Sequence, residues 1–558
     1  MIPGWVLLVA SLAYAALLFA VAWAGDRTHL YPSHARLRPV VYSLALAVYC
    51  SSWTFYGAVG SAARDGPSYL PIYLGPVLLF ALFMPFFERL VRVAKQRNVT
   101  SIADLVASRF GKSNRLAVVI TLIALTAAVP YVALQLKAVA MSVEVMTGAS
   151  REGLAGPWAA DSALWVAAAM AVFAMLFGTR TVDAAEHHPG LVLAVAAESL
   201  VKLVAFVAVG VFAAVSFGGA QALAEGVRAL PMAGGNFASF VTQTLIALTA
   251  IFCLPRQFQV GVVECAEPAD LRRARWMFPA YLLVISVFVL PIAALGLRGS
   301  AGAVNPDTFV LWLPLAAGHE WLAMLAYIGG FSAATGMVIV VCVALATMIS
   351  NDLLLPTIWR LRARRGAIAT RSERLVLWTR RAAIVLLLAL AFAYYRGVPS
   401  APSLASIGLL AFAAVAQFAP ALLASLYWPR ASRAGVLTGL VAGYGLWLYT
   451  LLLPGLLAIE GAPPRWVSEG PFGLGLLAPQ ALFGLVPPDP LTHGVFWSLL
   501  ANVLGLVVVS RLRRPSLDEQ LRAAAFLEPE PADAGLRGAP LPGGATAGDL
   551  MTLAEHVL

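Results

Sequence analysis

The stretch Tyr49-Cys50-Ser51-Ser52-Trp53-Thr54-Phe55-Tyr56-Gly57 decides how this chain folds. It lies inside an apolar run, residues 40–62, that is long enough to cross a bilayer. Its hydroxyls and aromatics interrupt that run about ten residues in, about 15 Å deep at the helical rise. Polar groups and broken helix are costly in hydrocarbon, and they persist where they line a cavity or meet another helix. A second interruption, Cys253-Leu254-Pro255-Arg256-Gln257-Phe258-Gln259, lies at the end of the run 238–258. Pro255 removes a backbone donor and favours a break.

The rest of the chain reads as membrane protein too. Of its 558 residues, 60% are hydrophobic and 12% charged. Soluble domains are about 45–50% apolar and about 25% charged. The mean hydropathy of +0.83 agrees. Scanning for runs of about 20 apolar residues predicts an all-α polytopic protein with about 13 transmembrane helices. They fall at roughly 5–24, 40–62, 69–93, 116–147, 162–180, 190–217, 238–258, 276–297, 321–349, 382–396, 403–427, 434–454 and 492–510. The tenth is short and abuts Arg380 and Arg381. The first lacks a basic leader and a cleavage site ahead of Arg27, so it reads as a retained span.

The net charge of +10 raises a nucleic-acid partner as a class. Its distribution removes that class. With the N-terminus outside, thirty of the 38 Lys and Arg residues fall in inner segments and six in outer loops, with Lys137 and Lys202 inside spans. That is the positive-inside pattern. It predicts a multi-pass protein of a bacterial inner membrane, N-terminus outside and C-terminus cytoplasmic. Cys50, Cys253, Cys265 and Cys342 lie in spans or at the inner face, where disulfides are not expected. Asn98-Val99-Thr100 matches a glycosylation sequon but falls in an inner loop. His187 and His188, beside Asp183 and Glu186, read as solvated rather than as a metal site.

The two interrupted spans are the second and the seventh, five apart and opposite in direction. Inverted-repeat transporters place their solute between two such discontinuous helices. The predicted arrangement is a 5+5 repeat, spans 2–6 and 7–11. The candidate solute-binding residues are Tyr49, Ser51, Ser52, Trp53, Tyr56, Arg256 and Gln257, with Gln135 and Lys137 from the fourth span. A lysine inside a span must pair, snorkel or face water. Facing a cavity, Lys137 would meet a substrate carboxylate. Trp53 is expected to stack on an aromatic or imidazole-bearing solute. The competing reading is helix packing for the hydroxyls and aromatics, and snorkelling for Lys137. Glu198 and Lys202, at i and i+4, read as a mutually neutralising pair.

Residues 1–514 form the transporter-like domain. Ser516-Leu517-Asp518-Glu519 is a capping-box sequence. It opens an amphipathic helix over 515–528, with Leu517, Leu521, Ala524 and Phe526 or Leu527 expected on the packed side. Residues 529–544 read as a Pro/Gly-rich linker, and 545–558 as the start of an incomplete cytoplasmic linking domain. No ATP-binding glycine motif or soluble catalytic domain follows residue 514, so no enzyme activity is expected.

The run Asn98-Val-Thr-Ser-Ile-Ala-Asp-Leu-Val-Ala-Ser-Arg-Phe-Gly-Lys112 resembles the inner-loop signature of sodium/solute symporters of the proline and glucose kind. So do Leu254-Pro255-Arg256 with Glu264, and Ser350-Asn351-Asp352-Leu353. The stretches Ser51–Ala63 and Gly329–Met337 resemble the transporter-like N-terminal part of CbrA-type sensor histidine kinases. Residues Ala545–Leu558 are similar to the start of the linking domain in those proteins. The resemblance implies a leucine-transporter-type fold and an amino acid, such as histidine, as solute. It also implies a histidine kinase module or response regulator pathway as partner. It places a second sodium site on backbone oxygens at Ala47 and Cys50 and on the ninth span at Ala333, Gly336 and Met337. The two hydroxyl positions are Gly336 and Met337, and Thr335 is a nearby hydroxyl. Tyr49 stands where proline symporters carry an aspartate. Sodium wants oxygen ligands, so these departures favour a proton, or no coupling ion, over Na+. No other cofactor is expected. Two readings follow: an amino-acid carrier working by alternating access, and a transporter-fold sensor.

Overall fold

The computed structural model describes residues 2–27, 37–148, 161–178, 189–231, 236–358, 373–398, 403–457, 464–485, 489–513 and 515–527. Every regular element among them is helical. His187, His188, the predicted linker and the residues 545–558 lie outside this set.

Nine described helices are long and apolar enough to cross a membrane, and up to eleven if each of two bent pairs is one span. The pairs are Pro71–Leu82 with Met84–Gln96, bent by 79°, and Phe237–Cys253 with Pro255–Val263, bent by 50°. The expected spans 162–180 and 40–62 do not pass the same length test. Helix Ser162–Gly178 has 17 residues, and the other segment is broken into Arg38–Leu46, Ala47–Tyr49, Trp53–Gly57 and Ala58–Asp65. The tenth expected run, 382–396, is part of a longer helix, Glu373–Gly397. Arg380 is buried there, so the charges that end the apolar run do not end the helix.

Polar residues start several helices by taking up a free amide. Ser113 accepts from Leu116 N, Ser432 from Gly435 N and Asp489 from Thr492 N. Helix Glu320–Met348 is buried along most of its length. Small residues let neighbours approach it. A Cβ on Gly329 would lie 2.9 Å from the Phe55 ring, and one on Gly330 would overlap Tyr56. The first broken span therefore lies directly against this buried helix.

Helices Arg433–Trp447 and Pro490–Leu512 pack through Gly435, Gly439 and Gly443, spaced for one helix face. Asn502 Nδ2 donates to Gln417 O at 2.8 Å and to Gln417 Oε1 at 2.9 Å, and Gln417 Nε2 donates to Ser498 Oγ at 3.0 Å. This pins the helix pair to the 3-10 turn at Ala416–Phe418.

The predicted terminal helix forms as Leu517–Leu527, and its capping box is complete. Glu519 N donates to Ser516 Oγ at 3.3 Å, and Ser516 N donates to Glu519 Oε2 at 2.9 Å. Its packed face keeps Phe526 of the expected residues and differs in the others. Glu519, Ala523 and Phe526 are buried, whereas Leu517 and Leu521 are 73% and 67% exposed.

Candidate functional site

The first broken span leaves the helical path at Cys50, whose φ of −74° and ψ of 95° are extended. A break inside a membrane helix needs partners for each freed backbone group. Several parts of the bundle supply them. Lys202 Nζ donates to Ala47 O and Cys50 O, both at 2.8 Å. Ser52 N donates to Gln135 Oε1 at 3.1 Å. Tyr73 OH donates to Thr54 O at 2.9 Å.

The second break falls at Leu254, also extended, immediately before Pro255. Each break braces the other. Gln257 Nε2 donates to Leu46 O at 3.3 Å, and Tyr42 OH donates to Gly261 O at 2.6 Å. The two interrupted spans singled out by sequence are thus in direct contact.

Arg256 sits at this junction, completely buried. Its Nη2 donates to Tyr131 OH at 2.9 Å, and its guanidinium lies 4.5 Å from the Tyr131 ring centre. Ser51 Oγ and Tyr131 OH are 2.9 Å apart, so Tyr131 links the two breaks. Arg256 Nε and Nη1 are buried without a hydrogen-bond partner, as are Ser52 Oγ and Gln257 Oε1. A buried cation with unused donors is costly until an anion meets it.

A cavity of about 140 Å³ runs between the exposed Asp65 and the buried Trp53, with Tyr69, Gln243 and Ser406 on its walls. Trp53 packs on Phe412 at a centroid distance of 5.0 Å and fills the space above Gly408. Phe412 also touches Tyr131, at 5.8 Å, and Tyr49, at 6.1 Å. Phe412 therefore stands between the cavity wall and the Arg256–Tyr131 pair.

The structure brings Ser51, Ser52, Trp53, Gln135, Arg256 and Gln257 to the breaks. Tyr49 and Tyr56 are there too, with hydroxyls engaged by the bundle. Tyr49 OH donates to Ile72 O at 2.7 Å, and Tyr56 OH accepts from Ser142 Oγ at 3.1 Å. Lys137 is half-buried. It follows Gln135 by two residues, so the two side chains leave the helix on different faces. Tyr131 and Phe412 are missing from the sequence-based set. Tyr131 follows Pro130 in a polar-poor stretch, and its value rests on two partners distant in sequence. Phe412 lies in the run Leu409-Leu-Ala-Phe-Ala-Ala414, which carries no polar signal.

The profile of the Sodium:solute symporter family matches residues 33–443. This chain belongs to the sodium:solute symporter family. An uncharacterized symporter, YhjB, of Bacillus subtilis (strain 168) is 24% identical over 422 residues, which is 73% of this chain and 80% of that protein. A Na+-coupled sialic acid symporter, solved in a substrate-bound outward-open state, superposes with a TM-score of 0.61 at 12% identity. The match covers 91% of this chain and 98% of that one. The chain is therefore a multi-pass membrane transporter of a small solute, not an enzyme, and it shares the all-helical fold of that neighbour.

The family name raises sodium, and the residues at the positions that the resemblance implies for it do not suit it. The Ala47 and Cys50 carbonyls are already bonded to the Lys202 ammonium. Gly336 has no side chain to offer, and a Cβ there would lie 2.0 Å from Glu198 Oε2. Ala333 and Met337 lie in the apolar core. Thr335 Oγ1 donates to Glu198 Oε1 at 3.2 Å. Glu198 and Lys202 therefore hydrogen-bond to different partners, while each still acts on the other's charge, as expected of an i, i+4 pair.

Proposed function

We propose that this transporter carries an amino acid, histidine-like in shape, which binds at the two helix breaks and crosses by alternating access. The carrying observation is the buried Arg256 guanidinium with Nε and Nη1 unpartnered. A planar guanidinium fork suits a carboxylate. Gln257 Oε1, an acceptor, suits the amino group. Trp53, Tyr131 and Phe412 offer flat surfaces to an imidazole ring. We read spans 2–6 and 7–11 as the two inverted halves, with the cavity at Asp65 opening outward. The charge bias and the reciprocal brace between the breaks favour that reading.

The test is uptake of labelled L-histidine by the purified full chain in liposomes. Histidine should be taken up and competed by other amino acids. Histamine, which lacks the carboxylate, should not compete. Arg256→Gln should weaken affinity by about 30-fold or more, since leaving one charge of a buried pair alone costs about 2–5 kcal/mol. Competition by histamine as strong as by histidine overturns the carboxylate assignment. Uptake of sialic acid without any amino acid overturns the solute class.

A second reading has support in the terminal helix. Arg109 Nη1 donates to Glu519 O at 3.2 Å and Arg89 Nη2 to Leu527 O at 2.6 Å, so the bundle grips that helix from two places. A conformational cycle in the bundle would then move it. This suits a sensor that reports solute to a histidine kinase module or response regulator.

A further inference from the structure

We propose that Lys202 is a tethered cation that holds the first broken helix together in place of a free sodium ion, so that this family member binds and moves its solute without sodium. The inference does not depend on which solute is carried.

The break at Cys50 frees two carbonyls that converge on one point. Ala47 O and Cys50 O each lie 2.8 Å from Lys202 Nζ. Lone carbonyls at membrane depth need a cation or a donor. An ammonium is a compact point charge with three donors, and this one is tied to the bundle by its own stem. Lys202 is 4% exposed, so its charge is held out of bulk solvent. A second cation at the same two oxygens would sit against this charge and be repelled. Arg256, buried at the second break, adds another fixed positive charge facing the same region.

The opposite wall carries the matching change. Glu198, one turn from Lys202, lays its carboxylate where a side chain at 336 would stand, 2.0 Å from a Cβ. Gly336 and Glu198 are therefore one feature: the hydroxyl position is given up and a carboxylate fills it. Thr335 Oγ1 and the Ser332 hydroxyl both donate to Glu198, at 3.2 Å to Oε1 and at 3.1 Å to the backbone oxygen. Tyr14 OH donates to Ser332 Oγ at 2.8 Å and closes the shell. The carboxylate offsets the ammonium in an interior that tolerates little net charge. The groups facing the ammonium are thus Cys50, Glu198 and Arg256. A lysine and a glutamate built into the chain provide what an ion from solution would otherwise provide.

The experiment uses the purified full chain and ²²Na⁺, without solute, so its outcome is separate from that of histidine uptake. The wild type should show no saturable ²²Na⁺ binding. Its melting should be the same in sodium chloride and in choline chloride at equal ionic strength. Lys202→Ala leaves the two carbonyls without their donor. That variant should melt lower than the wild type, and sodium, but not choline, should restore part of the loss. Glu198→Gln, which leaves Lys202 in place, should remain indifferent to sodium. Saturable ²²Na⁺ binding to the wild type overturns the proposal, whether or not Lys202→Ala can be purified. So does a Lys202→Ala protein that melts like the wild type and ignores sodium.

Discussion

Tyr131 is the residue on which the two breaks meet. Its hydroxyl lies 2.9 Å from both Ser51 Oγ and Arg256 Nη2, and its ring lies beneath the guanidinium. Tyr131→Phe keeps the ring and removes the only described hydrogen bond of Arg256. A hydrogen bond to a charged group contributes about 1.5–3 kcal/mol. Solute affinity should fall about tenfold or more, with expression and melting near those of the parent. Isothermal titration of the purified protein checks this, and affinity unchanged by the variant would place the site away from Arg256. Residue type alone pointed to Ser51, Ser52, Gln135 and Arg256 because polar groups are rare in apolar runs. It could not rank Tyr131 above Tyr49 or Tyr56. All three are buried tyrosines in spans, and only the positions of Ile72 and Ser142 show that the other two hydroxyls are engaged by packing.

At the scale of elements, the breaks were legible because Pro255 and the run Cys50–Trp53 violate the chemistry of a continuous membrane helix. The brace between them was not, since Gln257 to Leu46 and Tyr42 to Gly261 join residues more than two hundred positions apart. The expected runs 162–180 and 382–396 both fall on apolar helices, the first with 17 residues and the second extended by a full turn or more past Arg380, which packs inside the bundle. Helix pairing through Gly435, Gly439 and Gly443 shows how small residues decide contact. A Cβ on Gly439 would lie 2.5 Å from Asn502 O, a backbone atom that cannot turn aside. Gly445, on the same helical segment, has nothing within 4 Å of such a Cβ. The same substitution should therefore act with opposite signs. Gly439→Ala should destabilise by about 1–3 kcal/mol through overpacking. Gly445→Ala should be neutral or stabilise by up to about 1 kcal/mol through helix propensity. Melting of both variants in one detergent measures the difference, and equal effects would show that this face is not the contact.

Across the whole molecule, the run Asn98–Lys112 joins the bundle to its terminal helix. Ser101 caps helix Ile102–Arg109 by accepting from Asp104 N at 3.0 Å. The helix ends in Arg109, which is fully buried. Arg109 Nη2 donates to Trp428 O at 3.3 Å and to Pro429 O at 3.4 Å, while Nη1 reaches Glu519 O. Burial pushes the Arg109 guanidinium down to about 10, and the Glu519 carboxylate opposes that fall, so the anchor keeps its charge at neutral pH. The capping box was legible in Ser516 and Glu519, and the docking face only in Phe526. Leu517 and Leu521 look like the packed side by periodicity, whereas Arg109, Arg433 and Arg97 sit where Glu519 and Phe526 must turn. Glu519 holds both roles at once. Its Oε2 caps Ser516 N, and its Oε1 accepts from Arg433 N at 3.3 Å. Losing a cap costs about 0.5–2 kcal/mol, and an isolated helix of this length is marginal in water. Glu519→Ala should therefore release Leu517–Leu527 as a unit. Hydrogen exchange across those residues should rise about 2–30-fold, with exchange in helix Asn114–Thr147 unchanged. Protection that survives the substitution would mean that Phe526 and the Arg89 contact hold the helix without Glu519.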